Sequence, residues 1–154
     1  MDCLKKLIFL LLTLQLVNCQ NGKAGRPDTP SKPARAGDYP YQAQLRNRKT
    51  KEHICGGAIL RRDVVITAAN CVYSHVKDGT LDQIEVVAGE YDLKTESGHE
   101  QVVHIRRAIV HENYEEGAKV DDIALLVLRP ELKFNEFVQS IPIRKNVPPT
   151  EKAV

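Results

Sequence analysis

The sequence contains no tryptophan, and its aromatic residues amount to only 5% of 154 positions. It also lacks an apolar run of the roughly 18 residues that a membrane-spanning helix needs. The formal net charge is only +2, so no global excess of charge points to nucleic acid or to a membrane surface as a partner. Val, Ile, Leu and Ala supply most of the apolar residues, and the length is sufficient for one domain with its own core. Composition alone therefore predicts a soluble, globular chain.

The N-terminal segment differs in composition from everything after it. A basic segment that ends at Lys6 precedes an apolar block over residues 7–17, which is the form of a secretory signal peptide. Cys19 is a small residue suited to the position before the cut. The alternative is a buried N-terminal helix, but such a helix would show a polar face. We therefore predict a signal peptide over residues 1–19, and a secreted, extracellular protein that is free of the membrane after cleavage.

Cleavage there would leave two of the four cysteines, Cys55 and Cys71. An even pair in a secreted chain indicates one disulfide, whereas two isolated cysteines do not make a metal-ligand set. Residues 20–36, which follow the predicted cut, are rich in Pro, Gly, Ser and charge, and predict a flexible leader.

The most informative stretch is residues 53–72, HICGGAILRRDVVITAANCV. It holds two β-rich runs, 54–60 and 64–69, separated by a polar turn, and β-branched residues fill most of the second run. The stretch resembles the trypsin/chymotrypsin-like serine proteases, in which it has the pattern C-G-G-x-L/I, a turn, and then V-x-T-A-A-H-C. In that pattern, Asn70 stands at the position of the catalytic histidine.

A second motif carries the same resemblance. The segment Asp122-Ile123-Ala124-Leu125-Leu126 matches D-I-A-L-L, whose aspartate is the acid of the catalytic triad, so Asp122 takes that position. The resemblance covers residues 37–154 and implies that Cys55 and Cys71 pair with each other.

The fold that the resemblance implies is all-β: a six-stranded antiparallel β-barrel, the N-terminal barrel of a trypsin-like double-barrel fold. Short strands separated by turn signals independently favour an all-β domain. A bend or bulge is expected near Arg106-Arg107, and residues 73–82 are expected to be a polar connection. The predicted strands cover residues 39–45, 54–60, 64–69, 84–87, 101–111 and 123–128.

The chemistry of the family needs a group that titrates near neutral pH to take the serine proton and return it. The amide of Asn70 does not titrate there, although it can donate an N–H bond to the Asp122 carboxylate. Loss of a triad base costs on the order of a millionfold in turnover. The family's activation start, I-V-G-G, and its serine motif, G-D-S-G-G-P, do not occur in the sequence. As written, the chain is therefore predicted not to be an enzyme.

Two functions remain open at this point. The first is a secreted, non-catalytic serine protease homologue that binds or regulates other extracellular proteins, such as proteases or protease inhibitors, in a protease cascade. The alternative is an incomplete sequence of a trypsin-like serine endopeptidase. The sequence is accordingly either a piece of a longer protein or a truncated product held by a partner. A third class is a structural or toxin-like secreted module, but no feature of the sequence supports it.

Two loops carry further expectations. In trypsin-like relatives the loop that matches residues 89–101 carries a calcium site, and Glu90 and Glu100 match two of its carboxylates. Calcium takes six to eight oxygens, so two carboxylates suggest a weak or absent site, and no other cofactor is expected. The strongly basic loop over residues 46–51 is either a patch for an acidic partner or glycan, or a solvated hairpin tip.

Overall fold

The computed structural model of the protein describes residues 33–117 and 120–143. The predicted signal peptide over residues 1–19 and most of the predicted leader lie outside the described residues. The described part of the chain forms six strands and a short α-helix in this order: β1 (Gln42–Asn47), β2 (His53–Arg61), β3 (Val64–Thr67), α1 (Tyr73–Lys77), β4 (Ile84–Ala88), β5 (Gln101–Val110) and β6 (Ala124–Arg129). None of its helices is of a length and apolar character that would carry the chain across a bilayer.

The six strands close into one barrel in which every neighbouring pair is antiparallel. The order around the barrel is β1-β2-β3-β6-β5-β4, and β4 pairs back onto β1 to complete the ring. The predicted six-stranded antiparallel barrel is therefore confirmed. The pairing of β3 with β6 brings residue 67 level with residue 124, so the segment after β3 lies beside the segment before β6.

Alternate residues of the strands fill the interior of the barrel, as expected for strands with one buried face. On β5, Val103 and Ile105 are buried, whereas their neighbours are exposed. The alternation breaks where the register with β6 shifts between Ile105 and Arg107, so that Arg106 and Arg107 are both exposed. This is the predicted bulge. The largest fully buried side chains of the core are Leu45, Ile59, Ile84, Leu126 and Leu132.

A disulfide joins Cys55 on β2 to Cys71, which lies 16 residues further along the chain. The predicted pairing is thus confirmed. Closing a loop of this length stabilises the folded chain by about 3 kcal/mol in the chain-entropy account. The bond also fixes the short 3-10 helix Ala69–Cys71 against the barrel wall.

The strands begin or end up to three residues away from the predicted boundaries, and two of these differences have a clear structural cause. The first strand begins at Gln42 and not at Tyr39, because the Gln42 N–H donates to the Tyr39 carbonyl at 3.0 Å and forms a turn there. The third strand ends at Thr67 and not at Ala69, because the chain turns into the 3-10 helix.

Helix α1 lies in residues 73–82, for which the sequence predicts only a polar connection. Its five residues, YSHVK, are too few to show a helical period, and no side chain caps its N-terminus. The helix is continued by a turn in which the Thr80 N–H donates to the His75 carbonyl at 2.9 Å.

Candidate functional site

Asn70 is the exposed residue in the middle of the 3-10 helix that follows β3. Its neighbours Ala69 and Cys71 are both buried, and Cys71 is covalently attached to β2. The helix is therefore anchored on both sides of Asn70, while the Asn70 side chain faces outward. Such an anchored position is suited to hold a polar group at a fixed place on the surface.

Asp122 lies two residues before β6 and is half-buried. Because β6 pairs with β3, the segment before β6 meets the segment after β3, and this brings together residues that are 52 positions apart. The Asp122 carboxylate accepts two hydrogen bonds from Asn70. The backbone N–H of Asn70 donates to Oδ1 at 2.8 Å, and the Asn70 Nδ2 donates to Oδ2 at 2.8 Å.

The turn before Asp122 places the Asp122 carboxylate next to Asn70. Asp121 has a left-handed backbone with φ of 56°, which is uncommon for a residue with a side chain. The turn is closed by the Ile123 N–H, which donates to the Asp121 carbonyl at 2.8 Å. The His111 N–H donates in turn to the Ile123 carbonyl at 3.0 Å, which ties the turn to the end of β5. The backbone of His111 thus helps to hold this turn.

The chemistry of this pair follows from its functional groups. A carboxamide offers N–H donors and a carbonyl acceptor, but it does not take up a proton near neutral pH. The Asn70 amide is committed as a donor to Asp122, and its Oδ1 lies 3.2 Å from the Cys71 sulfur, which has no proton in the disulfide. The pair can bind a hydrogen-bonding group at the surface, but its amide cannot take up and return a proton as an imidazole does.

The second predicted site lies in the acidic loop between β4 and β5, where Glu100 organises the backbone. Glu100 Oε1 accepts the Ser97 N–H at 2.6 Å and the Ser97 hydroxyl at 2.7 Å, while Oε2 accepts the Gly98 N–H at 2.8 Å. Partial burial raises the pKa of Glu100, but these donors outweigh it and hold the pKa at about 2. Both oxygens of this carboxylate are thus engaged by the loop itself.

Glu90, unlike Glu100, has a carboxylate oxygen without a hydrogen-bond partner in the described part of the chain. Its Oε1 and the Oε1 of Gln44 are buried and have no hydrogen-bond partner among the described residues. Burial, followed by the negative charge of Glu100, raises the pKa of Glu90. Both side chains line a cavity of about 250 Å³ that the cations Arg46 and Lys51 also line.

These contacts test whether the loop residues suit calcium. Calcium takes six to eight oxygens, often from several carboxylates. In residues 33–117 and 120–143, no three His, Cys, Asp or Glu side chains are grouped so that they could hold a metal ion. Glu100 is occupied by loop donors, and the Glu90 cavity is lined by the acids Asp92 and Glu96 as well as by the two cations.

Sequence reasoning anticipated some of these contacts and missed others. The side-chain bond from Asn70 to Asp122 was expected, and the structure contains it. The second donor, the backbone N–H of Asn70, was missed because it depends on the 3-10 turn. The loop contacts of Glu100 were missed as well. Their signal was present, because Ser97 and Gly98 precede Glu100 at the short spacing from which local hydrogen bonds form.

Comparisons with known proteins agree with this architecture. The family described as Trypsin matches residues 29–154. The chain is 33% identical over 109 residues to Trypsin-1 of Astacus astacus, covering 70% of this chain and 46% of that protein. It is 36% identical over 121 residues to CLIP domain-containing serine protease B9 of Anopheles gambiae, covering 68% of this chain and 30% of that protein. It is 30% identical over 142 residues to Duodenase-1 of Bos taurus, covering 92% and 53%.

The chain therefore belongs to the trypsin family, which is a family of serine-type endopeptidases. It spans about half the length of the trypsin and the duodenase that it matches, and less of the CLIP-domain protein.

Proposed function

We propose that this chain is a secreted, catalytically inactive member of the trypsin family, which acts by binding other extracellular proteins. Its partners on this proposal are proteases or protease inhibitors of an extracellular cascade. The observation that carries the proposal is Asn70, which fills the position of the family's histidine and is held there by two bonds to Asp122. Secretion is supported by the form of residues 1–19.

The physical reason for inactivity is the missing proton acceptor. In a Ser-His-Asp site, the imidazole removes the serine proton and later returns it to the leaving amine, while the aspartate orients the ring. Asp122 is oriented for such a role, but the group that it orients is an amide. An amide satisfies the hydrogen-bonding needs of the carboxylate, so the site folds correctly without being able to act as a general base.

The second candidate is an active trypsin-like serine endopeptidase of which this sequence is one part. Two observations favour it: the chain matches only 46% of the length of the Astacus trypsin, and Asp122 is hydrogen-bonded to the residue at position 70. Asn70 opposes it, because its amide does not take up a proton near neutral pH. A hydrolysis assay separates the two candidates.

In that assay, the longest protein that contains this sequence is incubated with fluorogenic peptides that carry Arg, Phe or Ala before the scissile bond. We expect no turnover above the rate of the heat-inactivated sample, because loss of the base lowers turnover on the order of a millionfold. The positive control is an active trypsin at the same concentration. Turnover within about a hundredfold of that control would refute inactivity, since one lost base accounts for a far larger deficit.

We also propose that the loop Gly89–Gln101 is organised by Glu100 and needs no calcium. Replacing Glu100→Gln removes the charged acceptor of the Ser97 and Gly98 donors, so amide hydrogen exchange in this loop should become faster. The melting temperature of the unmodified protein should be the same in millimolar calcium as in the presence of a chelator. Glu96→Gln is the matched control, because Glu96 is an exposed acid of the same loop.

The pH dependence of the loop follows from the direction of the Glu100 shift. Its folded-state pKa of about 2 lies below the ordinary value of 4.5, so its contribution to stability is present at neutral pH. That contribution is lost as the pH falls from about 4.5 to about 2. A melting temperature that rises with calcium, and no longer rises in a Glu90→Gln variant, would contradict the proposal.

A further inference from the structure

The hairpin between β1 and β2 carries four cations, and a buried acid takes up two of them. Arg46 Nε and Lys51 Nζ both lie 2.8 Å from Oε1 of Glu85, whose side chain is only 3% exposed. Arg48 and Lys49, at the tip of the hairpin, are exposed and form no ion pair with another described residue. Their charge is therefore available to a ligand.

The backbone of the tip is fixed in shape. Asn47 Oδ1 accepts the Lys49 N–H at 2.8 Å and the Thr50 N–H at 2.9 Å. Lys51 has a left-handed backbone with φ of 62°, and its N–H donates to the Asn47 carbonyl at 2.9 Å. This conformation is unfavourable for a residue with a side chain, and the bond from the Lys51 side chain to Glu85 helps to offset that cost. Arg48 and Lys49 are thus presented on a rigid turn.

A second pair of exposed cations, on β5, forms no ion pair with another described residue. Glu85 on β4 pairs with His104 on β5, and continuing this antiparallel register by two residues brings Gln83 level with Arg106. On its other side, the Gln83 carbonyl accepts the Arg48 N–H at 2.8 Å. Gln83 ends the 3-10 helix Leu81–Gln83, and the extended register places it between Arg48 and Arg106. Two strand spacings would put those two backbones about 10 Å apart.

The bulge of β5 adds Arg107 to this arrangement, because it leaves two consecutive arginines exposed. We call the four residues Arg48, Lys49, Arg106 and Arg107 the cationic row. A cavity of about 570 Å³ adjoins the hairpin end of the row, and Asp82 is the acid in its lining. A second acid, Glu52, lies in the hairpin itself and accepts the Thr50 hydroxyl at 2.9 Å. Four cations and these two acids leave the surface with a positive charge that the chain's net charge of +2 does not reveal.

We propose that the cationic row is a docking site for a linear, sulfated glycan. The planar fork of the guanidinium group matches the oxygens of a sulfate as it matches those of carboxylate and phosphate, and three of the four cations are arginines. The cavity beside the row is lined only by polar and charged residues. One large hydrophobic residue, Ile109, is exposed two positions from Arg107 on β5. The row itself thus offers charge and hydrogen-bond donors, and not the cluster of aromatic anchors of most protein–protein hot spots. The choice of a glycan over a nucleic acid rests on the extracellular location proposed above.

The test measures binding of the full-length protein to heparin, by calorimetry with a heparin oligosaccharide at several salt concentrations. The variants are Arg48→Ser/Lys49→Ser and Arg106→Ser/Arg107→Ser. Each pair should weaken binding about 25-fold, because a basic residue near an anionic surface contributes roughly fivefold. Affinity should also fall with rising salt, less steeply for the variants than for the unmodified protein.

The matched control is Arg61→Ser/Lys77→Ser, which removes two exposed cations from other surfaces. Its affinity for heparin should remain within about twofold of the unmodified value, because distant exposed charges are screened. Melting curves of all variants confirm that the barrel is intact, and the two row variants test the same surface independently.

Three results would overturn the assignment. The first is no binding of heparin by the unmodified protein, and the second is an equal loss in the control variant. The third is binding of polyglutamate or single-stranded DNA as tightly as heparin, which would indicate an acidic protein or a nucleic acid instead. None of these results bears on catalysis. The proposal of inactivity is tested separately, by the hydrolysis assay.

Discussion

Replacing Asn70→His is expected to raise peptide hydrolysis on the order of a millionfold in a protein that carries both this chain and a G-D-S-G-G-P segment. The reason is geometric as well as chemical. The Asp122 carboxylate already receives a side-chain N–H from position 70 at 2.8 Å, so an imidazole there has an orienting partner in place. The measurement is kcat and KM with a fluorogenic peptide, compared between the two proteins.

The same variant can be tested in this chain alone by following its imidazole by NMR. The negative charge of Asp122 favours the protonated ring, so the pKa should lie above the ordinary value of about 6.5. A raised pKa adds stability below about pH 6.5, and this contribution is lost as the pH rises through the folded-state pKa.

Adding Asp122→Asn to that variant is the control, and it should remove the shift and lower any gained activity about 10⁴-fold. An imidazole that titrates as in a free peptide would show that Asp122 does not orient position 70. Equal hydrolysis by the unmodified Asn70 protein would show that no base is needed there, and the proposal of inactivity would fail.

Replacing Leu126→Ala is expected to lower the free energy of unfolding by about 4 kcal/mol, within the range known for buried leucines. Leu126 is fully buried on β6, where it pairs with Val65 on β3 and with Ala108 on β5. Because the barrel wall is closed around it, the surrounding strands cannot collapse freely into the cavity. The expected loss exceeds the roughly 3 kcal/mol that the disulfide contributes.

Urea unfolding with the disulfide intact measures this loss, and an unchanged slope of free energy against urea shows that the change is in stability. The control is Ile109→Ala on β5, since Ile109 is 42% exposed and should lose less than about 1 kcal/mol. A loss below about 1 kcal/mol for Leu126→Ala would mean that the core around β6 is loosely packed.

The strand architecture was predictable because its signals are local. β-branched runs such as Val64–Thr67 identify strands, and a break in the alternation at Arg106-Arg107 identifies the bulge. Closure into a barrel came from the resemblance and not from these signals, since the pairing of β4 with β1 joins segments about 40 residues apart. The disulfide was predictable from cysteine count and from the resemblance together.

The candidate site was predictable only as a pair of positions. The motifs identified Asn70 and Asp122, but not the backbone N–H that gives the carboxylate its second bond. That bond requires the 3-10 turn after β3 and the left-handed backbone of Asp121 before β6. No local sequence pattern predicts either feature. Calcium stays an open expectation for a different reason. The sequence shows the carboxylates of Glu90 and Glu100, but not that loop donors occupy Glu100 while Glu90 Oε1 has no described partner.

The continuous ring of paired strands has a consequence for how the protein meets other molecules. A sheet with a free margin can accept an extra strand through its backbone, which is a common route to peptide capture and to fibril growth. Around the ring formed by β1 to β6, each strand already has a neighbour on both sides. Molecules that approach this wall must be selected by side chains, and the wall itself does not template the addition of further copies.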